Sequence, residues 1–296
     1  MPHHTVTGLI LKKYSGFYYV QDSTGRIFEC KLRGKAQKQL ILTGDKAIVT
    51  PLDEDHAILE GIAERRNQLN RPRIANVDAV LLVMANDCPV PVPSLLDRLL
   101  VLTLHGGLAP LIILNKCDLE ASEKARQIMS VYPELGIPVI NTSAKQRCGL
   151  DELLKSIAGK IAVFAGPSGT GKSTLLNNLA KDLSIKTQEV SNKIGRGRHT
   201  TRHVELYPLP GGGWIADTPG FSTLDLPEDL VSRQLAAYYP EFAPHQDICR
   251  FSDCLHYREK ECGVKDALQS GTVSHLRYQN YVAILEEVMR NERCCR

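Results

Sequence analysis

Gly166-Pro167-Ser168-Gly169-Thr170-Gly171-Lys172-Ser173-Thr174 sets glycines, one cation and hydroxyls at the G-x-x-x-x-G-K-S spacing of a phosphate-binding loop. The glycines let the loop curl until successive backbone N–H groups face one anion. A helix that begins at the loop adds the positive end of its dipole. Lys172 then supplies a point charge for the β- and γ-phosphates, and Ser173 a hydroxyl ligand for Mg²⁺. A second grouping, Cys249-x₄-Cys254-x-His256-x₅-Cys262, offers three thiolates and an imidazole. That donor set fits a closed tetrahedral zinc site, which holds structure and leaves no position for catalysis. The chemistry expected is nucleoside triphosphate binding with magnesium, beside one structural zinc ion.

Asn115-Lys116-Cys117-Asp118 follows an apolar strand-like run and resembles the guanine-recognition motif of GTP-binding proteins. Asp118 can accept two hydrogen bonds, from guanine's ring N–H and from its exocyclic amine. The Lys116 stem can lie over the ring, and Asn115 can either tie this loop to the phosphate loop or reach the base. Ser143-Ala144-Lys145 resembles the second base-contacting loop of the same superfamily, in which Ala144 offers its backbone N–H to the guanine oxygen. A polar site of this kind rejects a wrong base by roughly 10⁴ or more. Further on, Gly195-Arg196-Gly197-Arg198-His199-Thr200-Thr201 resembles the first switch segment, with Thr200 or Thr201 as a Mg²⁺ ligand. Asp217-Thr218-Pro219-Gly220 resembles the second, with Asp217 on Mg²⁺ through water and the Gly220 N–H at the γ-phosphate. The next residue is Phe221, where Ras-like proteins carry a water-orienting glutamine. A phenyl ring cannot position water. His199 is then either the group that orients it, since imidazole accepts a proton near neutral pH, or a loop residue that touches RNA.

These motifs need elements to place them. Between residues 75 and 180 apolar strand-like runs alternate with stretches of helical spacing: ANVDAVLLVMA, a helix over Pro93–Leu104, LAPLIILN, a helix over Ser122–Tyr132, IPVIN, a helix over Leu150–Ile157, and IAVFA before the phosphate loop. That alternation predicts an α/β domain with a mostly parallel sheet covered on both faces. The base-reading motifs precede the phosphate loop, the reverse of the Ras-like order. This is a circular permutation, tolerated where the original termini lie close together. Residues 5–63 hold five or so short strand-like runs, which predict a small closed barrel of the OB-fold type. Tyr14, Phe17, Tyr18 and Tyr19 beside Lys12 and Lys13, with Lys31, Arg33, Lys35 and Lys38 further on, allow two readings. They stack and neutralise a nucleic acid, or the aromatics fill the barrel beneath a solvated basic loop. Residues 64–72 are polar, basic and closed by Pro72, and predict a linker. After the second switch, Pro227–Tyr239 predicts a helix, and Ser274–Met289 another that packs against the zinc knuckle. The domains expected are an OB-fold RNA-binding unit over 1–66, the permuted GTPase over 67–223, and a zinc-knuckle and helical unit over 224–296.

Of the 296 residues 43% are hydrophobic and 23% charged, ordinary values for a globular chain. The apolar run Ala79–Ala85 is too short to cross a bilayer, and MPHHTVTGLI lacks the basic start and apolar core of a secretion signal. A cytoplasmic protein with no membrane partner is expected. The net charge of +3 identifies no partner. Nine cysteines, an odd number, argue against a disulfide framework; Cys30, Cys88, Cys117 and Cys148 are read as isolated, buried or half-buried residues.

Taken together, GPSGTGKS, NKCD, DTPG, the RHTT stretch at 198–201 and the cysteine spacing resemble the small-ribosomal-subunit-dependent GTPase family, RsgA or YjeQ, over essentially the whole chain. The resemblance implies a monomeric late factor of small-subunit maturation. It would bind ribosomal RNA and GTP or GDP, hydrolyse GTP on the subunit, and then leave. Two other readings stand beside it. One is a P-loop nucleotide kinase, which leaves NKCD, SAK and DTPG unexplained. The other is a zinc-and-OB RNA-binding scaffold with a nearly inactive nucleotide site.

Overall fold

Five short strands close on themselves at the N-terminal end of the computed structural model, which describes residues 5–34, 40–70, 72–180, 204–217 and 225–294. β1 (Val6–Tyr14), β2 (Phe17–Asp22), β3 (Ile27–Leu32), β4 (Lys46–Pro51) and β5 (His56–Ile62) run in the order β1-β2-β3-β5-β4, and β4 returns to pair with β1. The one parallel pair is β3 with β5. Alternate side chains point inward, so Ile10, Val20, Phe28, Val49 and Leu59 fill the barrel. The aromatic cluster divides between barrel and surface. Tyr18 belongs to the barrel core, whereas Tyr14 is exposed. Lysine ammonium groups lie over the rings of Phe17, Tyr18 and Tyr19 at 5.1–5.5 Å.

The second unit is built as the alternation predicts. β8 (Ala79–Ala85), β9 (Ala109–Asn115), β10 (Val139–Asn141), β11 (Ile161–Ala165) and β13 (Trp214–Asp217) are parallel, and β12 (Glu205–Pro208) is antiparallel to β13. The order is β10-β9-β8-β11-β13-β12, so the phosphate-loop strand β11 lies in the middle. All seven residues of β8 are buried, because both faces are covered. Val80, Leu82 and Met84 pack on α1 (Pro93–His105) through Leu96, Leu99 and Leu100. Leu81 and Val83 face the opposite core, with Leu153 of α3 (Leu150–Ser156) and Leu175 and Leu176 of α4 (Lys172–Ala180). α2 (Glu123–Glu134) begins at Ser122, whose hydroxyl accepts from the Ala125 N–H.

Residues 64–72 differ from expectation. They hold β6 (Gln68–Asn70), which pairs with β7 (Arg73–Ala75), and Arg65 and Arg66 are engaged. Arg65 forks onto the fully buried Asp45 at 2.6 and 2.8 Å, and Arg66 reaches Asp78 at 2.7 Å. A buried carboxylate needs a countercharge, and that need turns a polar, basic stretch into a bracket between barrel and sheet. Backbone pairing of β1 with β12 at Lys12 and Glu205, with an ion pair at 2.8 Å, makes one sheet of eleven strands.

The helix expected over Pro227–Tyr239 is shorter and tighter. Pro227–Leu230 forms a turn, Val231 is extended, and a 3₁₀ helix covers Ser232–Tyr238. Its start is fixed by Glu292, which accepts from the Ser232 N–H at 2.8 Å. A single turn, α5 (Ala243–Gln246), leads to the cysteine loop, then α6 (Gly263–Gln269) and the long α7 (His275–Cys294). Tyr239, Phe242, Tyr281 and Leu285 form the core of this unit, and Val101 of α1 is part of it.

Candidate functional site

The loops expected to read the base follow the adjacent parallel strands β9 and β10, and the phosphate loop follows β11, one strand beyond β8, all at the carboxyl end of the sheet, where α/β sheets bind ligands. Asn115 closes β9, and its side chain makes the tie to the phosphate loop, one of the two roles left open for it. Nδ2 donates to the Thr170 carbonyl at 2.8 Å, while Oδ1 accepts from the Ala144 N–H at 3.0 Å and from Thr142 Oγ1 at 3.2 Å. It is buried and ties the three loops together. The Ala144 N–H, expected at the guanine oxygen, donates here to Asn115.

The phosphate loop depends on two glycines by contact as well as by conformation. A Cβ on Gly166 (φ +132°) would sit 2.3 Å from the Val83 carbonyl oxygen, and one on Gly171 (φ +96°) 2.2 Å from Asn115 Nδ2. Gly171 therefore makes room for the tie. Lys172 at the start of α4 donates to the carbonyls of Gly166 and Pro167 at 2.9 and 2.7 Å, with its ammonium pushed below its usual range by burial. Those carbonyls hold the cation at the mouth of the loop. Ser168, Gly169, Ser173 and Thr174 are exposed there, whereas Thr170 is buried.

Asp118 is half-buried at the rim, beside Lys116. Ser143 Oγ donates to Asp118 Oδ1 at 2.6 Å, and this bond, with the nearby Lys145 and Lys116, holds the carboxyl below its ordinary range. Asp118 is thus an oriented anion at the rim of the site. Lys116 adopts a left-handed φ of +64° and its ammonium bonds the Cys88 carbonyl.

Three asparagines build this site, and the motifs pointed to one. Asn86 follows β8 as Asn115 follows β9. Its N–H donates to the Asn115 carbonyl, its Nδ2 to the Leu119 carbonyl, and its own carbonyl accepts from both the N–H and hydroxyl of Ser122. It thereby grips the Asp118 loop at both ends. Asn178 of α4 donates to the Ala144 carbonyl. An asparagine directly after a buried strand is the signal available in the sequence for Asn86; nothing marks Asn178.

His199, Thr200, Thr201 and Gly220 lie outside the described residues, as does the side chain of Asp217, whose backbone ends β13. The cysteine readings divide. Cys30 is buried, but Cys88 and Cys148 are exposed. Cys117 is half-buried, as expected.

The cysteine loop of the C-terminal unit brings its four expected ligands together. The ligand atoms of Cys249, Cys254, His256 and Cys262 all lie within 4.8 Å of one another. His256 Nδ1 is 3.3 Å from Cys262 Sγ and 3.6 Å from Cys249 Sγ, and those two sulfurs are 3.8 Å apart. Zinc–sulfur bonds of about 2.3 Å in a tetrahedron span edges of about 3.8 Å, so donor set and spacing both fit that ion. The loop is held from outside: Tyr278 and Tyr281 of α7 donate to the carbonyls of His256 and Leu255, each at 2.7 Å, and Glu259 accepts from the N–H groups of Leu255 and Tyr257.

The family model of the RsgA GTPase matches residues 62–227, and that of the RsgA N-terminal domain matches residues 7–59. The chain is 46% identical over 289 residues to the small ribosomal subunit biogenesis GTPase RsgA of Carboxydothermus hydrogenoformans, covering 97% of this chain and 99% of that protein. The corresponding protein of Moorella thermoacetica is 44% identical over 288 residues, covering 97% and 98%. A crystal structure of YjeQ from Thermotoga maritima superposes with a TM-score of 0.82 at 35% identity, over 97% of this chain and 99% of that one. One of YloQ, a circularly permuted GTPase, gives 0.81 at 33% identity, over 97% and 96%.

Proposed function

The chain belongs to the RsgA GTPase family, and we propose that it hydrolyses GTP in the assembly of the small ribosomal subunit, binding the subunit's RNA and leaving after hydrolysis. The observation that carries this is the single buried Asn115, which fastens the two base-reading loops to the phosphate loop. Nucleotide binding at such a site orders base and phosphates as one unit. Family membership selects the GTPase over the kinase reading.

In this reading Asp118 accepts from the guanine N–H groups, Lys116 covers the ring, and Ser143 and Asn86 hold Asp118 in place. Successive N–H groups of residues 166–174 face the phosphates, and Lys172 moves from its two carbonyls to the β- and γ-oxygens. Ser173, Asp217 and Thr200 or Thr201 would hold magnesium, which neutralises charge on the phosphate oxygens. His199 is the candidate for orienting the attacking water, since Phe221 cannot. Zinc at Cys249, Cys254, His256 and Cys262 would fix the C-terminal loop. Lys13 and Lys31, over the rings of Tyr18 and Phe17, present a cationic face of the barrel for RNA phosphates. The proposed factor is cytoplasmic and monomeric; among the described residues no helix is long and apolar enough to cross a membrane.

The test is GTP turnover with and without purified small subunits, repeated with Lys172→Ala. Stimulation that is lost in the variant is the expected result. Equal slow rates in both conditions would overturn the reading in favour of a nucleotide-binding scaffold.

A further inference from the structure

Successive residues of β1 face different surroundings. Ile10 lies in the barrel core, whereas Leu11 belongs to the core of the α/β unit, with Leu206 of β12 and Ala216 of β13. The pairing of β1 with β2 shifts register between Ile10 and Lys12, and such a bulge re-aims the side chain at its site. Lys12 Nζ reaches Glu205 Oε1 at 2.8 Å, and the two residues also pair through their backbones. Lys13 lies over Tyr18 and, with Ser15, Phe17 and Lys31, lines the cationic groove of the barrel.

Across the other side of β12, Glu205 pairs with Asp217, the last residue of β13 and the first of the DTPG segment. β13 runs parallel beside β11, which leads into the phosphate loop. One row of paired residues, Lys12–Glu205–Asp217, therefore joins a strand of the groove to the edge of the nucleotide site. Both oxygens of the Glu205 carboxylate are engaged, because Tyr207 donates to Oε2 at 3.1 Å. Thr43 of the barrel adds a bond to the Val204 carbonyl at 3.1 Å. The joint is light. Among the described residues β1 and β12 share this one backbone pair, and the Lys12 and Glu205 side chains are 28% and 35% exposed. A contact of that size opens and closes without disturbing either core.

We propose that Glu205, held by Lys12, is a positioning residue for GTP hydrolysis, through which RNA in the barrel groove fixes the Asp217 end of β13. The proposal rests on the reading that the groove takes the subunit's RNA and that the DTPG segment serves the γ-phosphate. RNA phosphates on Lys13 and Lys31 restrain β1. The restrained strand keeps the Lys12–Glu205 joint closed, and the closed joint holds β12 and the Asp217 backbone paired with it. The joint is thus a two-state element that both sites bias, which is what coupling between them requires. A carboxylate adds nothing to RNA affinity, so the role of Glu205 is separable from binding.

The experiment compares the full chain with Glu205→Gln and with the double variant Lys12→Glu, Glu205→Lys. GTP turnover is measured at saturating small subunits, beside the affinities for GDP and for the subunit. Amide hydrogen exchange over 204–217 is followed with and without a single-stranded oligouridylate. In Glu205→Gln the stimulated rate should fall about three- to fivefold, the scale of a partly solvated ion pair, with both affinities unchanged. The double variant should recover the rate, which a merely structural loss would not allow. The oligonucleotide should slow exchange over 204–217 in the unaltered chain and not in Glu205→Gln. Unchanged stimulation, a double variant no better than Glu205→Gln, a loss traced to weaker subunit binding, or exchange indifferent to the RNA would each overturn the proposal. An unaltered chain that small subunits do not stimulate would instead refute the function on which it rests.

Discussion

The central sheet is joined to its neighbours at two places, and the two joints use different chemistry. Toward the barrel the contacts are mostly backbone and partly solvated. The Ala75 N–H donates to the Thr43 carbonyl, β1 pairs with β12, and Asn76 Nδ2 donates to the Gly44 carbonyl at 2.9 Å. Among the described residues only the Arg65–Asp45 pair is deep there, and Arg65 itself reaches solvent. Toward the C-terminal unit the contact is made by side chains in a closed interior. Arg277 of α7 and Asp97 of α1, at 1% and 0% exposure, form an ion pair. Glu241 takes the other side of the guanidinium at 2.7 and 3.2 Å, Asn280 and Tyr132 donate to Asp97 at 2.6 Å, and the guanidinium lies 4.4 Å over the ring of Tyr239. Backbone pairing fixes register but yields to local strand separation. A buried ion cluster instead has one arrangement in which every charge is satisfied. The C-terminal unit and α1 should therefore move as one body.

The largest effect that would sharpen this contrast is metal removal. A structural zinc ion contributes on the order of 10 kcal/mol to a small fold. Chelation, or Cys262→Ala, should make residues 225–294 readily cut by protease while the barrel keeps its protection. Equal loosening at both ends would break the comparison, because it would make the barrel joint depend on the C-terminal unit. Next in size is Arg277→Met. It leaves Asp97 and Glu241 buried without their cation, which costs roughly 3–5 kcal/mol. Denaturant unfolding should show the loss, and a change under about 1 kcal/mol would mean the cluster is not what fastens α1 to α7.

How legible each joint was follows from what a sequence pattern encodes. The parallel sheet, the barrel and the phosphate loop were readable because local periodicity and glycine spacing carry them: β8 and β11 are continuous apolar runs, and Gly166 and Gly171 stand where no other residue fits. The Cys249, Cys254, His256 and Cys262 cluster was readable because all four lie within fourteen residues of chain. Asp97 and Arg277 are 180 residues apart, and each resembles an ordinary surface charge on an amphipathic helix. Their burial is a product of tertiary packing alone. The same holds for Asp45 and Arg65, whose pairing turned an expected linker into a bracket, and for Asn178, a polar helix residue that happens to face Ala144. Asn115 stood between: its motif was plain, but choosing between loop tie and base contact required the distance to Thr170.

Arg65→Ala probes the barrel joint. Asp45 loses its cation but keeps the Leu42 N–H at 2.7 Å, and water can reach where Arg65 stood. The expected cost is about 1–3 kcal/mol, less than at Arg277. A loss equal to that of Arg277→Met would remove the distinction between a solvated and a closed joint.

The smallest effect lies at the edge of the C-terminal joint itself. Arg98 of α1 forks onto Glu287 of α7 at 2.7 and 2.5 Å, but both side chains reach solvent, so Arg98→Ala should cost about 1 kcal/mol or less. The Arg98 hydrogen bonds hold the Glu287 carboxyl below its ordinary range. A carboxyl with a depressed pKa in the folded state adds stability above its unfolded pKa of about 4.3, and that stability is lost as pH falls through the folded value. The difference between Arg98→Ala and the unaltered chain should therefore be steady near pH 7 and shrink below pH of about 4.3, read from urea midpoints at each pH. A difference as large as that at Arg277, or one that grows on acidification, would place the fastening charge at the rim and leave the buried cluster as mere filling. A small, acid-sensitive difference locates it in the interior, where Asp97 and Arg277 have no water to fall back on.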